Sequence, residues 1–250
     1  MKPHAAAVAE LKLNGPELGE PKLDGPELGE PKLDGPKLDE PELGEPKLDQ
    51  PKPNELKLNI GCGTSGIGGW VNIDNSPTIL LSRLPLGRQV FRTPRWPRDV
   101  RRMDVRKGMP FADGSVRAIY SSHTFEHFTY EESLQVAKEC RRVLAVGGVL
   151  RVVVPDLAIA VREYLADRAN PKASHQFIGR LLLISGVRDL LHPGAHHRQM
   201  FDGNSLVHML REAGFASAEV SSFGNSRIPE IESIELESRR AESLYVECVK

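Results

Sequence analysis

Apolar residues recur with two different periods along most of this chain, and one long stretch has neither. Leu56, Leu58 and Ile60 alternate with polar residues and predict a short strand. Trp70-Val71-Asn72-Ile73-Asp74 predicts a second, and Val100 to Val105 a third. Val116 to Tyr120, after the Asp113-Gly114 turn, predicts a fourth. The run Val149 to Val154, apolar but for Arg151, has the composition of a strand buried on both faces. Helical spacing takes over elsewhere. Glu131 to Leu144 places Leu134, Ala137, Val143 and Leu144 toward one side, and Gly147-Gly148 is expected to end that helix. Pro155-Asp156 opens a helical stretch to about Asp167, and Asp202 caps another that Gly214 stops after Ala213. Ala218 to Phe223 and Ser243 to Val249 predict the last two strands, while Asn170 to Phe201 is less regular and rich in histidine. Strands alternating with helices predict an α/β layered domain with a largely parallel sheet.

The stretch with neither period is the start. From Pro16 to Gln50 a pentapeptide recurs seven times, alternating between forms such as PELGE and PKLDG. A proline every fifth residue removes a backbone donor each time and excludes a continuous helix. One leucine per repeat is too little apolar surface to offset the entropy of ordering five residues. The expected organisation is a disordered, Pro-rich repeat leader over residues 1–53 and one folded domain over 54–250, with a docking tail or spacer as the leader's functional alternative.

Charge changes the picture only slightly. Through Lys57 there are 8 Lys/Arg and 13 Asp/Glu, a balance of −5, and the remainder carries 25 against 21, a balance of +4. That body is too weakly basic to imply a nucleic-acid partner. Arg83 to Lys107 concentrates nine Arg/Lys, read as a solvated connecting face. The three cysteines, Cys62, Cys140 and Cys248, form no CxxC pair or disulfide framework, which favours a reducing compartment. No run of about 20 apolar residues predicts a membrane span, and a soluble, cytoplasmic protein is expected.

Candidate chemistry concentrates in Leu56 to Asn75, LKLNIGCGTSGIGGWVNIDN. Glycines just past a strand's carboxyl end permit φ > 0 and close approach of a ligand to the backbone. The acid Asp74, at the end of the next strand, stands where it can accept hydrogen bonds from ribose hydroxyls. Gly61, Gly63 and Gly66 fit G-x-G-x-x-G, but Asp74 follows Gly66 by only eight residues, against about 20 in dinucleotide sites. A ligand without a pyrophosphate fits better.

With LNIGCG, the strand ending in NID, MDVRKGMPFADGSV, IYSSHTFEH, RVLAVGGVLRVVVPDL, HRQMFDGNSL and the tail SRIPEIESIELESRRAESLYVEC in order, the chain from Leu56 to Lys250 resembles class I S-adenosylmethionine-dependent methyltransferases. Within them it is similar to a small subset encoded near glycan-assembly glycosyltransferases. The resemblance implies a Rossmann-like seven-stranded sheet of order 3-2-1-4-5-7-6, last strand antiparallel, with helices on both faces. It implies that Gly61 and Gly63 line the methionine part of the cofactor, Asp74 binds the ribose, and Asp104 approaches the adenine amino group. Ser121, Ser122 and His123 would face the sulfonium methyl, and Cys62 and Val105 complete the expected cofactor set. Asn59 stands where most of these enzymes have an acid, and its carbonyl oxygen would meet the cofactor's ammonium. The implied activity is methyl transfer from S-adenosylmethionine to an oxygen or nitrogen of a small or glycan-linked acceptor, with His123 as the residue expected to carry chemistry. A cofactor-binding module without catalysis is the alternative. The crossover between the first two strands is too short for a helical connection, so a loop is expected.

His123-x-x-Glu126-His127 also fits the pattern of a zinc peptidase, with two histidines a helical turn apart. Its position directly after a strand argues against that reading, and no metal site is expected. In the simpler reading Glu126 and His127 anchor the start of the following helix. His196 and His197 belong either to a lid over the acceptor or to ordinary surface.

Overall fold

The computed structural model describes residues 55–84, 94–182 and 196–250. The repeat leader, Pro85 and His192 lie outside these residues. Among the described residues there are seven strands: β1 (Leu56–Ile60), β2 (Val71–Asp74), β3 (Arg101–Arg102), β4 (Val116–Ser122), β5 (Leu144–Pro155), β6 (Ser217–Ser221) and β7 (Ser243–Val249). They form one sheet of order β3-β2-β1-β4-β5-β7-β6. The pairs from β3 through β5 are parallel, and β7 runs antiparallel to both β5 and β6. The expected Rossmann-like architecture and strand order are therefore observed.

Five α-helices are described: α1 (Thr78–Arg83), α2 (Tyr130–Val143), α3 (Leu157–Ala166), α4 (Ala173–Leu182) and α5 (Gly203–Glu212), together with short 3-10 turns that include Phe125–His127. α2 begins at a capping box in which Thr129 accepts from the Glu132 backbone and Glu132 accepts from the Thr129 backbone. Asp202 caps α5 as expected, and Gly214 beyond it has φ +95°.

Side chains alternate across β5, so Leu150, Val152 and Val154 join one core and Val149 and Val153 another. The first core packs against α2 and α5 through Val136, Ala137, Cys140, Leu206 and Met209. The second lies on the other face of the sheet. Among the described residues, Ile228, Ile231 and Ile234 of the segment between β6 and β7 cover it, together with Trp70 and Tyr245.

Four other expectations change. The third strand is two residues long, because Val105 already belongs to a 3-10 turn capped by Asp104. The Gly147-Gly148 pair does not end α2. The helix stops at Leu144, which is extended and already paired with Val116, and the glycines fall inside β5 where its register against β4 shifts. Gly147 has φ +75°, and a Cβ on Gly148 would lie 2.8 Å from the Ala145 carbonyl oxygen. A helix, α4, occupies part of the stretch read as irregular. Finally, His123, Glu126 and His127 share no helix: His123 is a left-handed residue (φ 51°) and the other two lie in the 3-10 turn.

Candidate active site

A crevice of about 830 Å³ opens beyond the carboxyl ends of β1, β2 and β4. That is where the strand order reverses direction and where open α/β sheets bind their ligands. Asn59, Gly61, Cys62 and Gly63 line it from β1, Asp74 from β2, Asp104 and Val105 from beyond β3, and Ser122 and His123 from β4. Ser121 stands apart: its side chain is fully buried in the sheet and does not reach the crevice.

The loop after β1 is the short, helix-free crossover the sequence requires, and Asn72 holds it. Its side-chain oxygen accepts from Asn59 Nδ2 and from the Ile67 backbone, and its nitrogen donates to the Ile67 carbonyl and to Asp99. Asn72 is fully buried. It is the asparagine of the strand motif NID, and nothing in its residue type announces this role. The glycines serve distinct purposes. A Cβ on Gly61 would fall 1.8 Å from Thr124 Oγ1, so the β1 turn can lie against the β4 turn only without a side chain. Gly63 has open space around it but φ +54°, which glycine adopts at little cost. Gly66 fits neither description: its missing side chain makes room for Pro97 and Asn72.

Asp74 ties the two turns together. One carboxylate oxygen accepts from the Gly63 backbone at 3.0 Å and the other from Ser76 at 2.8 Å. A carboxylate has about four acceptor positions, so capacity for a ligand remains. Asp104 is paired to Arg106 through two 2.8 Å contacts, and those hydrogen bonds hold its carboxyl below the usual range. Burial, reinforced by the charges of Asp74 and Asp99, pushes the Cys62 thiol up to about 12. It is therefore a neutral wall group rather than a nucleophile.

Next to the crevice lies a polar cluster that the sequence did not resolve. His123 Nε2 is 3.0 Å from Ser243 Oγ, and its Nδ1 is 3.4 Å from Glu126 Oε1. Glu126 is completely buried, and neither carboxylate oxygen has a hydrogen-bond partner. His197 Nε2 approaches the same oxygen at 4.0 Å. The segment carrying His197 is fastened to the turn by the Arg198 backbone, which donates to the Glu126 carbonyl at 2.7 Å. Gln199 completes the clasp through Phe125 and Ser133. His197 is thus neither ordinary surface nor a detached lid. Burial lowers its pKa, with His127 and His123 acting in the same direction against Glu126.

Compared with known proteins, residues 58–152 match the family described as "Methyltransferase domain". The matched segment carries β1, β2, β3, β4, α2 and most of β5, and so contains every residue named above along the cofactor side of the crevice. Over residues 58–152 the chain is similar to that family, and the match spans less than half of its length. Solved structures of similar description include an S-adenosylmethionine-dependent methyltransferase from Archaeoglobus fulgidus, 12% identical, with 78% of this chain and 86% of that one covered and a TM-score of 0.46. One from Mesorhizobium loti is 18% identical, with coverages of 80% and 94% and a TM-score of 0.45. A possible histamine N-methyltransferase from Thermotoga maritima is 17% identical, with coverages of 78% and 82% and a TM-score of 0.43. Likenesses this distant carry no argument about substrate. No curated protein matches the sequence. Among the described residues, no helix is long and apolar enough to cross a membrane.

Proposed function

We propose that this chain transfers a methyl group from S-adenosylmethionine to an oxygen or nitrogen of a small-molecule or glycan-linked acceptor. The observation that carries the reading is the join of Asp74 to the glycine turn at the mouth of the crevice, within the segment that matches methyltransferase domains. A carboxylate held there can bond both ribose hydroxyls, while Gly61 and Gly63 leave their backbone open to the methionine part. The Asn59 amide nitrogen is committed to Asn72, which directs its oxygen as the end to receive the ammonium. Asp104 and Val105 flank the place assigned to adenine.

The sulfonium carries its own activation, so the protein's task is alignment of nucleophile, methyl and sulfur. Such positioning is worth about 7–11 kcal/mol of the barrier. His123 is the residue we assign to the acceptor, since it lines the crevice between Ser122 and Thr124 and is held from both sides by Ser243 and Glu126. His123→Gln keeps a hydrogen-bonding side chain that takes no proton. Near-normal turnover of that variant would make His123 a positioner and not a base.

The cofactor half is tested by calorimetry with S-adenosylmethionine on the full chain. Hydrogen bonds to a charged group are worth ~1.5–3 kcal/mol, so Asp74→Ala should weaken binding by roughly ten- to a hundredfold while the far-ultraviolet spectrum is unchanged. Unchanged affinity in a folded variant would move the ribose elsewhere. Binding without turnover of labelled cofactor in a cell extract would favour the module without catalysis.

A further inference from the structure

The polar cluster behind His123 contains more donor atoms than methyl transfer requires. Glu126, His127 and His197 each offer one ligand atom, and these atoms lie within 4.8 Å of one another. Glu126 is fully buried with both oxygens unpartnered, so it incurs the desolvation of a carboxylate with no hydrogen bond in return. Its contacts to His123 at 3.4 Å and His197 at 4.0 Å do not remedy this.

The two histidines are set in a way that separates a ligand site from a chance cluster. His127 Nδ1 is 3.0 Å from the His196 carbonyl oxygen, and His197 Nδ1 is 3.2 Å from the Leu181 carbonyl oxygen. A carbonyl only accepts, so both Nδ1 atoms must carry the proton. In each neutral ring Nε2 is then left as a bare lone pair. A backbone carbonyl on the far nitrogen is the outer contact that fixes tautomer and ring orientation in metal-bound histidines. The rings lie 5.2 Å apart in an edge arrangement, converging on the carboxylate that lacks a partner.

We propose that Glu126, His127 and His197 bind a divalent cation of the zinc class. Two imidazoles and one carboxylate suit Zn²⁺, and three protein ligands leave a position open. This set differs from the one the zinc-peptidase pattern names, because His123 lies outside it. Resting on the methyl-transfer reading, the site gains a role: His127 lines the crevice, so an oxygen of the acceptor can occupy the open position. A cation there would hold that oxygen and favour its deprotonated form.

The test uses the full chain stripped with a chelator, dialysed, and titrated with Zn²⁺ against a chromophoric competitor. One equivalent should bind, and Glu126→Gln and His197→Ala should each weaken it at least tenfold, whereas His175→Ala on the exposed side of α4 should not. X-ray absorption of the zinc-loaded wild type, which requires no variant to fold, should show a shell of nitrogen and oxygen at about 2.0–2.1 Å. Absence of saturable binding would overturn the site, as would full affinity in both variants or a sulfur ligand at about 2.3 Å. S-adenosylmethionine affinity of the metal-free protein is read separately, so its loss would sink the methyl-transfer reading and leave the zinc result standing.

Discussion

Two buried carboxylates, Glu235 and Glu126, meet opposite treatment in this fold. Glu235 belongs to the segment that joins β6 to β7, where it accepts from Arg151 Nε at 2.9 Å and from the Gly224 backbone at 2.7 Å. The Arg151 guanidinium, itself fully buried in β5, also donates to the carbonyls of Ser222 and Asn225 and lies over the Tyr245 ring. Every part of that ion pair is answered from within the chain. Glu126, at the crevice, is answered by nothing within hydrogen-bonding geometry. The difference teaches where the molecule keeps itself together and where it waits for something else. A satisfied buried pair is specified by the fold, whereas a bare buried carboxylate is tolerated only where a ligand or its chemistry gives it a use.

The comparison can be broken first on its structural side. Glu235→Ala would leave the Arg151 charge buried without its partner, and should cost ~3–5 kcal/mol of stability in urea denaturation. A loss under about 1 kcal/mol would show that Arg151 is satisfied by the carbonyls alone. The opposite substitution sharpens it. Glu126→Gln removes a desolvated charge that has no partner, so metal-free protein should change by no more than ~1 kcal/mol, in either direction. A loss as large as that at Glu235 would mean that Glu126 too is structural. Smallest of all should be the effect of deleting residues 1–53, the proposed repeat leader. Melting within a few degrees of the full chain is expected by differential scanning calorimetry, and failure to fold would refute the leader reading.

The sheet was largely legible because its strands are marked by period-2 alternation or by the apolar run in β5, and their order came with the family resemblance. What was misread has local physical reasons. Gly147-Gly148 looked like a helix stop because paired glycines commonly follow helices, yet tertiary pairing of Leu144 with Val116 ended α2 earlier. α4 lies inside the histidine-rich stretch read as irregular, although its apolar residues keep a helical period. On the crevice side, the glycines and Asp74 announce themselves by residue type. The Glu126 cluster does not, because its members are about 70 residues apart and are brought together by tertiary hydrogen bonds such as that from the Arg198 backbone to the Glu126 carbonyl. The signal available was the coincidence of EH after β4 with HRQ before α5, which spacing alone leaves unconnected.

The Arg151 pair also has a consequence for synthesis. β5 emerges early, but its antiparallel neighbour β7 and its carboxylate Glu235 are encoded about a third of the chain later, with 84 residues between the paired side chains. Until they leave the ribosome, β5 exposes a paired edge on one side only and a guanidinium that must remain in water. The five strands from β1 to β5 therefore keep an unpaired edge and part of their second face exposed for that interval, the kind of surface that makes a folding intermediate prone to aggregate.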